Sequence, residues 1–371
     1  MSVVGNTALR FDDEQAMLLD VAQDFCRRHG VAAAREHLEM PLGYDPLQWD
    51  EIVRLGWTGI GIPDEAGGAG LDISAAVPVL ESMGRALLGT PLLASLLAAQ
   101  LLQRAAGAEA ADTLAAIAGG DIATVADLES EDWLAPARGS LDETGRLRAA
   151  KRMVPDAMQA QWYVVMVARD GEPALALVSR DALGDEALQP CVLIDHTKRA
   201  ADVNFDGVEP AAVYAGPAIA DAIRDYRLIG ALLVAAESTG AAASCLATVV
   251  DYLRTRKQFG RLIGSYQALK HPSVDILTAL DSSRSFIYHA ATLVSDAPLG
   301  ADEEVACRMA KAQATETLRY AGDRAVQFHG GMGFTWDCDA QLFLRRAQWA
   351  QQQFGDAVHH RQRLAGLLLD A

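Results

Sequence analysis

The residues with the clearest chemical potential fall in a few short segments. Gly67-Gly68-Ala69-Gly70 and Gly330-Gly331-Met332-Gly333 invite comparison with loops that cradle phosphate. The first is not followed by Gly-Lys-Ser/Thr, so it is no P-loop. The second follows a helical pattern rather than a strand and has no βαβ setting, so a Rossmann loop is excluded too. Taken alone, each reads as a turn. No Gly-x-Ser-x-Gly elbow exists for hydrolase chemistry. The five cysteines (Cys26, Cys191, Cys245, Cys307, Cys338) are scattered without a Cys-x-x-Cys pair, and His359-His360 are adjacent and point to different sides of a helix. No metal site is expected from such spacing. Two segments are more specific. One runs from Tyr252 to His271 and contains Arg256-Lys257-Gln258-Phe259-Gly260 and Gln267; the other is Gln327-Phe328-His329-Gly330-Gly331-Met332-Gly333-Phe334-Thr335-Trp336, followed by Arg345-Arg346.

The elements that must position these residues follow from periodicity. Within 371 residues the first 120 read as helices. Asp12 and Asp13 can cap one that Gly30 ends, and Asp45-Pro46 opens another that Gly56 stops. From about Asp121, short apolar runs (Ile122–Ala126, Leu147–Val154, Trp162–Ala168, Ala174–Val178, Ala201–Phe205) are punctuated by Gly139-Ser140, Asp170-Gly171 and Asp206-Gly207, a β-rich pattern. From Pro217 the chain is helical again, and Leu228–Val250 is apolar nearly all round, as in a helix buried on several sides. The expected fold is α+β, mainly α: an N-terminal helical domain (1–120), a small middle β domain (121–216) and a C-terminal four-helix bundle (217–371). The most apolar stretch, Ala86–Leu102, is interrupted by Gly89, Thr90, Pro91, Ser95 and Gln100 and reads as core, so no membrane partner is expected. The N-terminal residues carry no apolar signal core, which argues for a cytoplasmic protein. With 49 acidic and 32 basic residues the formal charge is −17. That argues against nucleic acid as a partner and leaves any anionic ligand to a few placed cations or backbone dipoles.

Together the two C-terminal segments resemble the acyl-CoA dehydrogenase family. There an Arg-x-x-Phe-Gly and a Gln-x-x-Gly-Gly segment hold the adenosine-diphosphate half of FAD across a dimer interface. The resemblance spans nearly the whole chain. Leu55–Gly70 resembles the family's N-terminal Leu-Gly…Pro-Glu-x-x-Gly-Gly-x-Gly stretch, and Asp195-x-Thr197-Lys198 with Val203-x-Phe205 resembles the end of its β domain. The resemblance implies that Arg256, Phe259, Gln267, Gln327, Gly330 and Gly331 bind FAD. Arg256 supplies a planar, always-charged fork for the diphosphate, and the glycines let backbone approach it closely. Phe259 and Gln267 would serve the adenine side, although Gln267 reads about as well as an ordinary helix residue.

The same comparison exposes what is missing. The family's base is a Glu-Gly-Thr glutamate counted from its Arg-Asp pair; here that position is Phe354, with Gly355 kept. Some members carry the base on the first long helix of the bundle, a position that here is Gly230. Glu237, two turns further along, is held as a substitute base beside its reading as a packing or interface carboxylate. The family's flavin-facing Thr-Glu-Pro-x-x-Gly-Ser-Asp loop is replaced by Val125-Ala126-Asp127-Leu128-Glu129-Ser130-Glu131-Asp132, whose Glu129, Glu131 and Asp132 would place negative charge where a diphosphate or CoA passes. Its Lys-x-Trp-Ile-Thr strand becomes Lys151-Arg152-Met153-Val154-Pro155, and proline brings neither hydroxyl nor amide hydrogen. The distal FAD half is retained while the reacting half is eroded. The resemblance therefore extends to the short, base-lacking subunit of α2β2 acyl-CoA dehydrogenases of the steroid side-chain type. It implies α,β-dehydrogenation of an acyl-CoA thioester, bulky or steroid-derived, with no catalytic residue from this chain. The partners it implies are a second acyl-CoA dehydrogenase subunit that brings the base, the acyl-CoA substrate and an electron-transfer flavoprotein. The alternatives are a self-sufficient homotetramer with a displaced base and a non-catalytic structural subunit.

Overall fold

The computed structural model describes residues 13–369. Six helices come first: α1 (Asp13–Arg28), α2 (Val31–Glu36), α3 (Pro46–Arg54), α4 (Ala76–Arg85), α5 (Leu92–Ala106) and α6 (Ala111–Ala118). The cap expected at Asp12 lies outside the described residues. Gly30, expected to end α1, stands just beyond it as the residue that opens α2. At α3 the Asp45 side chain accepts the Leu47 amide at 2.9 Å, Pro46 fills the first turn, and Gly56 follows in the left-handed region (φ +74), as local capping physics requires.

Nine strands follow: β1 (Ala123–Ala126), β2 (Ser140–Leu141), β3 (Leu147–Arg148), β4 (Ala150–Pro155), β5 (Trp162–Arg169), β6 (Glu172–Ser179), β7 (Leu188–Pro190), β8 (Ala200–Asn204) and β9 (Ala212–Ala215). They form one sheet of order β3-β2-β5-β6-β9, with β1 parallel to β5, and a second of order β4-β8-β7. The expected run Leu147–Val154 is broken into β3 and β4, which serve different sheets. Strands β2, β7 and β9 carry no periodic signal. The β5–β6 register pairs Arg169 with Glu172, leaving Asp170-Gly171 (φ +54 and +84) as a two-residue turn, the type I′ geometry that Asp-Gly favours.

The bundle comprises α7 (Ala218–Thr255), a hairpin of β10 (Lys257–Gln258) and β11 (Arg261–Leu262), then α8 (Gln267–Leu293), α9 (Ala301–His329), α10 (Ala340–Gln352) and α11 (Ala357–Leu369). Helix α9 packs on α7, α8, α10 and α11. By length and composition α7 could cross a membrane, yet 89% of its apolar window is buried inside the fold, as befits the central helix of a bundle. Helix α4 crosses it backbone to backbone. A Cβ on Gly84 would lie 2.0 Å from the Glu237 carbonyl oxygen, and one on Gly240 1.8 Å from that of Glu81. Only glycines permit so close a crossing.

Candidate functional site

The six residues assigned to FAD sit at one end of the bundle. Helix α7 ends with the Arg256 amide donating to the Tyr252 carbonyl (2.9 Å), and the Ile263 amide returns to the Arg256 carbonyl (2.9 Å) across the hairpin. A Cβ on Gly264 would lie 2.7 Å from the Leu253 carbonyl oxygen, so α8, with Gln267 as its first residue, starts against the end of α7. Helix α9 finishes at the same end, where His329 stacks on Tyr252 (ring centroids 4.1 Å apart, 25° between planes). Gly330 then turns the chain with φ +60. Arg256, Phe259, Gln267, Gln327, Gly330 and Gly331 are all exposed. No atom lies within 4 Å of where a Cβ would stand at Gly330 or Gly331. Among the described residues Arg256 makes no ion pair, whereas Arg261 lies over the Tyr266 ring at 3.8 Å. Phe259 is 92% exposed and left-handed (φ +53).

The two positions where relatives carry a base meet each other. A Cβ on Gly230 would lie 2.5–2.7 Å from carbons of the Phe354 ring, so the ring occupies the space in front of the glycine. Tyr226, one turn earlier on α7, meets that ring edge-on at 5.5 Å. Burial and the neighbouring Asp127 carboxylate push the Tyr226 hydroxyl well above its ordinary range.

Glu237 lies elsewhere, inside a buried charge network. Its Oε1 accepts from Lys198 Nζ (2.8 Å) and from the Arg346 guanidinium (2.6 Å), while Oε2 has no partner. Arg346 also binds Asp195, the Thr197 hydroxyl and the Leu87 carbonyl. Burial alone would raise the Asp195 carboxyl, but Arg346 and the Thr197 hydroxyl and amide bring it below its usual range. The network ties α7 and α10 to the segment between β7 and β8. The sequence alone shows Arg346 as an arginine beside Arg345 and does not reveal this role. The available signal was a second arginine where the family has the aspartate of its Arg-Asp pair.

The loop after β1 is also committed internally. Glu129 accepts from Lys151 Nζ (2.6 Å) and from the amides of Arg138 (2.6 Å) and Gly139 (2.9 Å). Burial opposes its ionisation, yet these donors hold it below the ordinary range. The negative charge expected of Glu129 in a ligand passage is thus neutralised within the chain. The Pro155 carbonyl accepts from the Thr124 hydroxyl at 2.6 Å. Among the described residues no group of three or more His, Cys, Asp or Glu side chains could hold a metal ion.

Comparison with known proteins places the fold in a family. Residues 12–121 match the acyl-CoA dehydrogenase N-terminal domain, and residues 228–367 match the acyl-CoA dehydrogenase C-terminal domain. The chain is 31% identical over 356 residues to the acyl-CoA dehydrogenase IpdE2 of Mycolicibacterium smegmatis, covering 95% of this chain and 98% of that one. It superposes on a variant of the Tcur3481-Tcur3483 steroid ACAD with a TM-score of 0.85 at 28% identity, over 96% and 98% of the two chains. The ChsE4-ChsE5 complex of Mycobacterium tuberculosis shares the fold, with a TM-score of 0.85 at 22% identity over 98% and 99%. The chain belongs to the acyl-CoA dehydrogenase family.

Proposed function

We propose that this chain is the base-lacking subunit of a heteromeric, FAD-dependent acyl-CoA dehydrogenase that introduces an α,β double bond into a bulky or steroid-derived acyl-CoA thioester. The observation that carries the reading is the Phe354 ring seated on Gly230. Neither base position holds a carboxylate, and an α-proton needs a base within hydrogen-bond reach. The partner subunit then brings the base, the flavin-ring contacts and the thioester pocket.

The residues present fit one half of FAD. Arg256 is a free cation, and the Gly330-Gly331 backbone is open to a diphosphate with no side chain in the way. Phe259 offers an apolar wall, and Gln267 and Gln327 offer amides. The flavin-ring half does not fit this chain. Glu129 and Lys151 are spent on each other, and Pro155 has no amide hydrogen. When bound, FAD supplies the acceptor for the β-hydride; this chain's share is to hold and orient the far end of the cofactor across the interface. A steroid ACAD of the same fold supports the substrate class. Electrons would leave to an electron-transfer flavoprotein, and the complex would work in the cytoplasm.

A homomeric reading with Glu237 as the displaced base is disfavoured because that carboxylate is held by Lys198 and Arg346; an acid near Asp337 is its other candidate. Flavin content separates the possibilities when the chain is purified alone and with its co-expressed partner. The heteromer should be yellow only when co-purified, at about half an FAD per chain. A homotetramer would carry about one FAD per chain, and a structural subunit would add none.

A further inference from the structure

Phe354 adopts φ +54, a left-handed conformation that costs any residue with a Cβ. Such strain persists where the surroundings over-determine it, and here they do so from several sides. The ring abuts Gly230 and meets Tyr226 edge-on. The next residue, Gly355 (φ +93), lies under two aromatic rings, so that a Cβ there would be 2.8 Å from His359 and 2.9 Å from Trp133. Beneath the turn the wholly buried Lys311 donates its Nζ to the carbonyls of Gly355 (2.7 Å) and Ala350 (3.0 Å). Trp133 belongs to the loop after β1 and is held by Arg227 of α7, whose guanidinium lies over its ring at 5.7 Å and donates to its carbonyl at 3.3 Å. The β-domain loop, α7 and the α10–α11 turn thus close on one point.

We propose that Phe354 is a specificity-determining plug: its ring fills the space in which the α-carbon of an acyl thioester would have to lie, and so keeps acyl-CoA out of this chain's own cleft. The argument is steric. A base at either family position must touch the α-proton, so the substrate would pass between residues 230 and 354, and that gap is occupied. The inference rests on the reading that the chemistry belongs to a partner. A second cleft that bound thioester without a base would trap substrate unproductively, and a steric clash is the direct way to refuse it.

The test uses the full chain, purified alone, with octanoyl-CoA as probe and isothermal titration calorimetry as readout. The natural chain should show no saturable binding. Phe354→Ala should gain a saturable site at least about tenfold tighter than any residual binding. Refilling the gap from the opposite wall, Phe354→Ala with Gly230→Leu, should abolish that gain, which mere loosening of the fold would not do. If Phe354→Ala fails to fold, as judged by circular dichroism and melting, Phe354→Leu takes its place. The proposal is overturned if the natural chain binds octanoyl-CoA as tightly as the variant, if a folded variant binds no better than the natural chain, or if the Gly230→Leu refill leaves the gain intact. Flavin content and turnover of the co-purified complex, measured separately, report on the functional reading and not on the plug.

Discussion

Replacing Phe259 with Asn should move the free chain and its assembly in opposite directions. In the β10–β11 hairpin Lys257 pairs with Leu262 and Gln258 with Arg261, leaving Phe259-Gly260 as the two-residue turn with φ +53 and +80. The β5–β6 hairpin of the same molecule places Asp170-Gly171 in the same conformation. Asn and Asp suit the first position of this turn and Phe does not, at a cost of roughly 1 kcal/mol. That strain brings the free chain nothing, because the ring is 92% exposed. Full burial of a Phe side chain is worth about 2 kcal/mol, roughly 30-fold in a binding constant. The Asn variant of the free chain should therefore resist urea better by up to about 1 kcal/mol. In the co-purified complex, FAD retention on dilution and subunit affinity by sedimentation should fall by about 30-fold. An Asn variant that weakens the free chain, or one that leaves subunit and flavin affinity unchanged, would refute the reasoning.

Arg256→Ala removes a charge-assisted contact worth about 1.5–3 kcal/mol, so the complex should lose FAD while its subunits stay folded; flavin absorbance after gel filtration checks this. Glu237→Gln should cost about 3 kcal/mol in urea denaturation, because Lys198 and Arg346 lose their shared counter-charge, while kcat of the complex holds within about twofold. A drop of about 10²-fold in kcat with the fold intact would make Glu237 the base. Burial lowers Lys311 from 10.5 to about 7, with the Asp356 charge opposing the shift. The unfolded chain thus binds the extra proton between those values, and stability rises with pH through that window, by up to about 1.4 kcal/mol per pH unit. Subtracting the urea stability of Lys311→Met at each pH isolates this slope from other titrations, and a flat difference between about pH 7 and 10 would refute it.

Local chemistry was legible where the determinant is local. Asp45-Pro46 announces a capped helix, Asp170-Gly171 a turn between strands, and the all-round apolarity of α7 its burial on several sides. Strands of two to four residues such as β2, β7 and β9 escape because so short a run has no period, and their pairing depends on strands distant in the chain. The two C-terminal segments stand out as motifs, but their gathering at one bundle end depends on α7 and α9 running parallel, which the Tyr252–His329 stack records. The absence of a carboxylate at positions 230 and 354 was plain from the sequence. Their contact was not, since it exists only once α7 and the α10–α11 turn are packed. Arg346 was visible as a doubled arginine, but its partners Asp195, Thr197 and Glu237 come from two other segments.

The chain uses Phe-Gly in left-handed turns twice, and the contrast between the two shows how its halves differ. At Phe259-Gly260 the backbone is strained and the ring faces solvent, so the compensating contact must come from outside the free chain. At Phe354-Gly355 the backbone is strained in the same way (φ +54 and +93), but the ring is packed on Gly230 and Tyr226 and the turn is clamped by Lys311. On the proposed reading the first turn is completed by a ligand or partner, whereas the second is packed within the chain. A self-sufficient dehydrogenase needs the reverse at the second site: an open gap with a titratable group beside it. The ring at residue 354 is therefore the feature on which the proposed supporting role rests, and the exposed ring at residue 259 marks the end of the bundle through which that support would be given.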